Sequence, residues 1–517
     1  MKQGNRELIL IGIILLTALG ARIWGVNYDL PFIYHPDEPR YVAIIQNIFK
    51  TGDLNPHFFN YPSLFLYINS FAYIPYYLFG KLFGVFATRS DILFPVSLAM
   101  GVAQSPMPST ILLGRIITVI FGVGTVGLTF AIGKRLTGKA TVGLLAALMV
   151  AVSPVNVGNS RSITPDTFMV FFAAAAFLAT VFAYQQGKTR HYIMAGIGIG
   201  LAASSKYNGG LIILPLLLAH FLRYGKTALK QPNLYLALLL SGLGFFAATP
   251  YALMDTSKFL ADLSYESQHY ATGHAGEEGN ALKWYLDYMW QTAGVIYILA
   301  GVEILRGIYS RSREIILLSC FPLVYFVFIS SFEIRNDRTF LPLTPFLFLL
   351  AASFLVHLLS ETNAIRSNAL RKLSVLAVAG LAIAGLSMPA SKTITDTIRL
   401  TTVDSRETAR VWINNNLPAG ARLAIESYSP FVDPSRFYVQ RIYRMINYPP
   451  EWYVAQGFDY LVFSQGMYGR FYQEPGKYLT ECSQYDNLFR QFHLVKLFTD
   501  GGYEVRVYRV NSAGTQY

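Results

Sequence analysis

Leu8-Ile9-Leu10-Ile11-Gly12-Ile13-Ile14-Leu15-Leu16-Thr17-Ala18-Leu19, followed by Pro36-Asp37-Glu38-Pro39, sets the character of this chain. The first stretch belongs to an apolar run over 7–25, long enough to cross a bilayer as a helix. The second puts two adjacent carboxylates just beyond that run. Charge beside a bilayer is costly to place and marks a functional site by default. The rest of the composition agrees with a membrane setting. The 517 residues are 53% hydrophobic and 14% charged, whereas a soluble domain carries roughly 25% charged residues.

Further apolar runs of helix length cover 63–86, 111–133, 141–157, 167–184, 192–205, 209–223, 234–252, 284–306, 314–331, 339–358 and 373–390. The connections between them differ in charge. Lys134 to Lys139, Lys188 to His191, Arg223 to Lys230, Arg306 to Arg313 and Arg366 to Lys372 are basic and read as cytoplasmic. The net charge of +12 therefore reflects membrane orientation, and no basic recognition motif points to nucleic acid. Residues 26–62, 158–166, 206–208, 253–283, 332–338 and everything after 390 then face outward.

Parity requires one more crossing between 87 and 110. Ile92 to Gln104 is apolar enough to supply it, with a re-entrant segment as the alternative. The expected fold is an α-helical polytopic membrane protein of about thirteen transmembrane helices. Its N-terminus is expected in the cytoplasm, in the plasma membrane of the cell. Lys2 and Arg6 before the first run also fit a cleaved signal peptide, which gives the same orientation. Cys320 lies in an apolar run and Cys482 in the polar tail, so neither a disulfide nor a metal site is expected of them.

The character changes near residue 395. The transmembrane domain is expected over 1–395 and a small α/β domain on the outer face over 396–517. Asp404 can cap a helix, with Glu407 three residues on as its capping-box partner. Strand-like pieces follow at Arg422-Leu423-Ala424-Ile425, Tyr460-Leu461-Val462-Phe463 and Glu504-Val505-Arg506-Val507-Tyr508.

Five outer connections carry unusual polar residues. They are Asp37, Glu38 and Arg40; Arg161 and Asp166; Lys206-Tyr207-Asn208; His269 and His274; and Arg335, Asp337 and Arg338. A helix bundle can gather these into one cavity. Carboxylates beside cations at the membrane edge suit a substrate with an anionic group and a hydroxyl to deprotonate, such as a lipid-linked phosphosugar. Sugar transfer passes through an oxocarbenium-like state, in which a carboxylate base activates the incoming hydroxyl. A lipid phosphate leaving group needs cations rather than a general acid. No Gly-x-Gly-x-x-Gly, Walker A or Asp-x-Asp pattern points to a soluble nucleotide donor. Asp37 and Glu38 between two prolines also read as a helix N-terminus, as does Asp166 after Pro165. The spacing of His269 and His274 does not define a metal site; His35 and His57 could join one, so a divalent metal stays open without being indicated, and no other cofactor is expected.

Tyr34-His35-Pro36-Asp37-Glu38-Pro39-Arg40-Tyr41, Thr51-Gly52-Asp53-Leu54-Asn55-Pro56 and Phe59-Asn60-Tyr61-Pro62-Ser63-Leu64 resemble the first outer loop of GT-C class membrane glycosyltransferases. The similarity is to the dolichyl-phosphate-mannose protein mannosyltransferases and the bacterial aminoarabinose transferase that modifies lipid A. Ser160 to Phe168, Ser205 to Gly209 and Arg335 to Pro342 extend the resemblance, which covers about residues 1–360. It implies a polyprenyl-phosphate sugar donor and inverting transfer, on the non-cytoplasmic side, to a protein, lipid or glycan hydroxyl.

By the same resemblance Asp37 is the base, and Glu38 and Asp166 position hydroxyls. The resemblance also makes Arg161, Lys206, Arg335 and Arg338 candidates for the lipid phosphate; Tyr207 and His269 are read as further substrate contacts from their place on the outer connections. One departure stands out. The aminoarabinose transferase has a Glu-Lys pair before its Pro-Pro, where this chain reads Phe59-Asn60-Tyr61-Pro62-Ser63, so contacts resting on that pair do not carry over. Loop 253–283 also has no room for the β-trefoil insertion of eukaryotic protein mannosyltransferases. A lipid or anionic-solute transporter would gather charge near the bilayer midplane instead. A non-catalytic subunit of an envelope-assembly complex would use the tail as its interaction module.

Overall fold

The computed structural model describes residues 3–99 and 101–510, so Lys2 lies outside the described residues. Helix α1 (Gln3–Ile23) leads into strand β1 (Phe32–Ile33), α2 (Glu38–Thr51) and α3 (Leu64–Leu82). Gly52, with φ 76°, ends α2 in the left-handed conformation that glycine adopts most readily. Strands β2 (Val96–Ala99) and β3 (Val102–Gln104) form a hairpin, and β3 also pairs antiparallel with β1.

The helical body follows as α4 (Pro108–Thr137), α5 (Ala140–Val152), α6 (Pro154–Asn159), α7 (Pro165–Gln186) and α8 (Thr189–Ser205). Then come α9 (Ile213–Tyr224), α10 (Pro232–Ala248), α11 (Tyr251–Met254), α12 (Thr256–Thr272) and α13 (Ala281–Tyr309). The body closes with α14 (Arg313–Ser330), α15 (Asp337–Phe340), α16 (Thr344–Glu361) and α17 (Asn368–Thr401). Among the described residues, seven helical stretches are long and apolar enough to cross a membrane, and α5 and α10 are shorter apolar helices. Small residues let the helices meet closely: a Cβ on Gly133 would lie 2.7 Å from the Gly143 Cα, so α4 and α5 touch backbone to backbone.

The crossing expected at Ile92 to Gln104 is not there, because those residues carry the β2–β3 hairpin. Helix α3 does not lead away to the opposite side either. The Tyr73 hydroxyl donates to the Thr110 carbonyl, Tyr76 bonds the Ser109 hydroxyl, and Phe49 of α2 packs on Tyr73 and Tyr77. Its middle thus lies beside the start of α4. Residues 26–107 thus gather around the start of α4 and the hairpin.

After α17 come α18 (Ser405–Asn416), β4 (Arg422–Glu426), β5 (Tyr438–Ile442), α19 (Pro450–Ala455), β6 (Tyr460–Ser464), α20 (Gln465–Gln473), α21 (Leu479–Gln491), β7 (His493–Phe498) and β8 (Val505–Arg509). The sheet order is β5-β4-β6-β8-β7, parallel from β5 to β6 and antiparallel beyond. Asp404 caps α18 by accepting from the Arg406 amide. The core of this sheet does not close on itself. Phe32, Tyr34, Leu98 and Val102 from the amino-terminal loops pack with Ile413, Leu423, Ile425 and Val507 in one apolar cluster.

At the other end of that loop region lies a fully buried ion pair. Arg115 of α4 donates Nε and Nη2 to the two oxygens of Glu38, at 3.0 and 2.8 Å, and both side chains are 0% exposed. Its Nη1 donates to the Val26 and Tyr28 carbonyls, and Glu38 also accepts from the Ile163 amide. Removing one partner of a buried pair leaves a desolvated charge, at a cost of about 3–5 kcal/mol. We therefore expect Arg115→Met alone to lower the melting temperature of the detergent-purified protein sharply. Arg115→Met combined with Glu38→Leu should recover part of the loss; a double variant no more stable than the single would contradict this reading.

Candidate active site

The residues around Asp37 owe their placement to His35. Its Nδ1 accepts from the amides of Asp37 and Glu38 at 3.2 and 3.3 Å, which serves the N-terminus of α2. An accepting Nδ1 requires the ring proton on Nε2. Burial, opposed in part by Glu38 and Asp37, holds the His35 pKa below its ordinary value. The sequence suggested that Asp37 caps this helix; instead its side chain makes no capping bond and is released toward the opposite wall. There Arg338 Nη1 donates to Asp37 Oδ2 at 2.6 Å. Burial works to raise the Asp37 pKa, but Arg338 and then His35 outweigh it, and the carboxyl lies below the usual range. Among the described residues no hydrogen bond engages Oδ1.

Asp37 and Arg338 line a chamber of about 600 Å³. Tyr28, His35 and His274 complete its floor, and the tail supplies Arg406, Tyr428, Tyr443, Arg470 and Tyr503. Burial first, then His269 and Arg470, bring the His274 pKa down to about 4, so this imidazole is neutral near pH 7. Arg406 is held by Asp404 at 2.7 Å and lies over the Tyr34 ring, while Arg470 covers the Tyr428 ring.

A second space of about 270 Å³ lies between α12, α14 and the turn after α8. Leu263, Phe328 and Phe332 make it apolar, and Lys206, Tyr61, Asn60 and Glu266 stand at its polar end. Lys206 bonds Asp166 at 2.7 Å and sits 5.7 Å above the Tyr61 ring. The Tyr61 phenol lines the groove and lies in the field of both Lys206 and Arg338, although groove and chamber share no lining residue.

The residues singled out from the sequence fall into distinct places. Asp37 and Arg338 face the chamber, and Lys206 and Tyr207 face the groove, with the Tyr207 hydroxyl donating to the Phe59 carbonyl. Asp166 is buried beneath Lys206. Glu38 is turned away from both spaces into its pair with Arg115. His269 stacks on Tyr265 and abuts His274, one ring behind the chamber wall. Arg335 bonds the Glu277 and Glu278 carbonyls and pairs with Glu474, fastening loop 273–279 to the tail. Arg161 borders neither space but a third crevice beside α17. Among the described residues no three His, Cys, Asp or Glu side chains are arranged to hold a metal ion. Sequence reasoning passed over Arg115, although a lone arginine near the end of an apolar helix was a signal in itself. It also passed over the tail residues, which only the folded sheet brings to the chamber.

Residues 108–251 match the family model for dolichyl-phosphate-mannose-protein mannosyltransferase. No curated protein matches the sequence significantly. Among solved structures, the chain is similar to ArnT from Cupriavidus metallidurans bound to undecaprenyl phosphate, with a TM-score of 0.54 and 14% identity over 100% of both chains. It is also similar to the apo oligosaccharyltransferase of Archaeoglobus fulgidus, with a TM-score of 0.55 and 13% identity over 98% of this chain and 75% of that one. The archaeal oligosaccharyltransferase AglB from Archaeoglobus fulgidus, in complex with an inhibitory peptide and a dolichol-phosphate, gives a TM-score of 0.54 and 14% identity over 99% of this chain and 75% of that one. At such identities the likeness is one of fold. The chain thus has the fold of the GT-C class of membrane glycosyltransferases, and its central segment carries the sequence signature of the dolichyl-phosphate-mannose protein mannosyltransferases.

Proposed function

We propose that this protein is an inverting glycosyltransferase that moves a hexose or pentose from a polyprenyl-phosphate donor to an acceptor hydroxyl, on the non-cytoplasmic side of the plasma membrane. The observation that carries the reading is a pair of unlike spaces whose cations, Lys206 and Arg338, both act on Tyr61. One is an apolar groove headed by Lys206, and the other a polar chamber holding Asp37 and Arg338. The polyprenyl chain lies in the groove. Its phosphate draws on Lys206 and Arg338, and the sugar C1 faces the chamber. ArnT and AglB, similar in fold, have been captured with polyprenyl phosphates. The basic connections support a cytoplasmic N-terminus, which puts the tail domain and the chamber outside.

Asp37 accepts the acceptor proton. A carboxylate held at low pKa is a weak base toward a free alcohol, but the hydroxyl acidifies as it bonds to an oxocarbenium-like carbon. Staying ionised lets Asp37 hold the acceptor by Oδ1 while Arg338 fixes Oδ2. The departing phosphate leaves as an anion against Lys206 and Arg338 and needs no proton.

Asp37→Asn should lower transfer by about 10²-fold or more while the protein still folds and inserts. Product is read by mass spectrometry of envelope lipids and glycoproteins from cells with and without the gene; full product from the variant would remove Asp37 from the mechanism. The pH profile gives a separate check. The ionised, active form of Asp37 is lost as pH falls through its depressed pKa. Arg338→Gln removes the cation that depresses it, so the acid limb of residual kcat/KM should move to higher pH. An unmoved limb would mean that another group sets it.

A further inference from the structure

The third crevice, of about 480 Å³, lies where α6, α13 and α17 meet, and Arg161 forms part of its wall. Arg161 is 3% exposed, and no carboxylate lies within ion-pairing distance of it among the described residues. One of its nitrogens donates to the Ala21 carbonyl and the Thr397 hydroxyl, while its Nε has no partner. Arg22, 0% exposed, lies close enough to act on it as a like charge, and it too lacks an acid. Arg22 is nevertheless explained: it donates to the Val150 and Ala151 carbonyls at the C-terminus of α5, to Ala18 and to the Ser160 hydroxyl. Arg161 has no such account. Asp396, the acid that acts on Arg161, makes no ion pair with it and already faces Lys392. A buried guanidinium with an unfilled donor and an acid shared in this way is costly, and an anion relieves that cost.

The other walls indicate what carries the anion. Lys392 of α17 lies on the crevice with its head exposed, and Asp396 one turn on offsets it at 3.6 Å. Asp337 is exposed on the rim. Trp284 and Tyr288 of α13 stack on the same wall, as aromatic side chains do at the level of lipid headgroups. On either side of Lys392 the α17 surface exposes Met388, Ile394 and Ile398. These side chains fit acyl chains, not water.

We propose that this crevice is a second lipid site, which takes a net-anionic, phosphate-bearing headgroup between Arg161 and Lys392, with the acyl chains along α13 and α17. It shares no wall residue with the groove headed by Lys206. It does share Asn336 and Asp396 with the Asp37 chamber, so an occupying headgroup borders that chamber.

Native mass spectrometry of the full chain in detergent tests the assignment, with phosphatidylglycerol, phosphatidylcholine and inorganic phosphate as probes. Phosphatidylglycerol should bind, and Arg161→Gln combined with Lys392→Gln should weaken it about tenfold or more. The exposed Lys392→Glu, which touches no core contact, should weaken it as well and keeps the test intact if the double variant does not fold. Equal binding of phosphatidylcholine, or binding indifferent to these variants, overturns the site. Saturation and displacement of the lipid by millimolar inorganic phosphate overturns the lipid source and leaves a soluble anion. Lys392 lines neither the Lys206 groove nor the Asp37 chamber, so loss of this lipid in Lys392→Glu with donor-dependent transfer intact separates its fate from that of the proposed activity.

Discussion

The pairing of Arg115 with Glu38 is the constraint on which the site rests. Four stretches of chain converge on those two side chains: the start of α2, the body of α4, the carbonyls of residues 26 and 28, and the amide of residue 163. Each brings a polar group that would be expensive to bury alone. Bound together, they fix the origin of α2 against the bundle, and with it the peptide of Asp37. His35 takes over the capping of that helix, so the neighbouring carboxylate is spared local duty and turns to Arg338, which is 301 positions away.

Adjacent acidic residues have thereby acquired opposite fates. Glu38 is sealed from solvent on a guanidinium, whereas Asp37 keeps one oxygen open to a cavity. The same division recurs with cations. Lys206 heads an apolar groove, and Arg335, three residues from Arg338, is spent on the carbonyls of a loop. Charge type alone does not separate these roles; the direction of each side chain from its backbone does.

Much of the architecture was legible in the sequence, because apolar runs and basic connections are read residue by residue. The helix after Asp404 and three of the five tail strands were equally plain, as local patterns of capping and alternation. What escaped depended on distant partners. Ile92 to Gln104 is as apolar as a short span, and its pairing with Phe32 and Ile33 cannot be seen from composition. The aromatic face of 64–82 lies against α2 and the start of α4, a contact invisible to hydropathy. Within the site, Asp37, Lys206 and Arg338 stood out as charges beside apolar runs. Arg115 and the tail's Arg406 and Arg470 gain meaning only from what they touch.

The apolar cluster that joins Phe32 and Tyr34 to Ile413, Leu423 and Val507 also bears on biosynthesis. The loop that presents Asp37 cannot complete its packing until the last hundred residues have emerged. At typical elongation rates of roughly 5–20 residues per second, the loop waits on the order of 20–80 s with aromatic side chains uncovered. Maturation of the site therefore comes at the end of synthesis, and a chain that ends early is left with a complete membrane body and an unfinished floor.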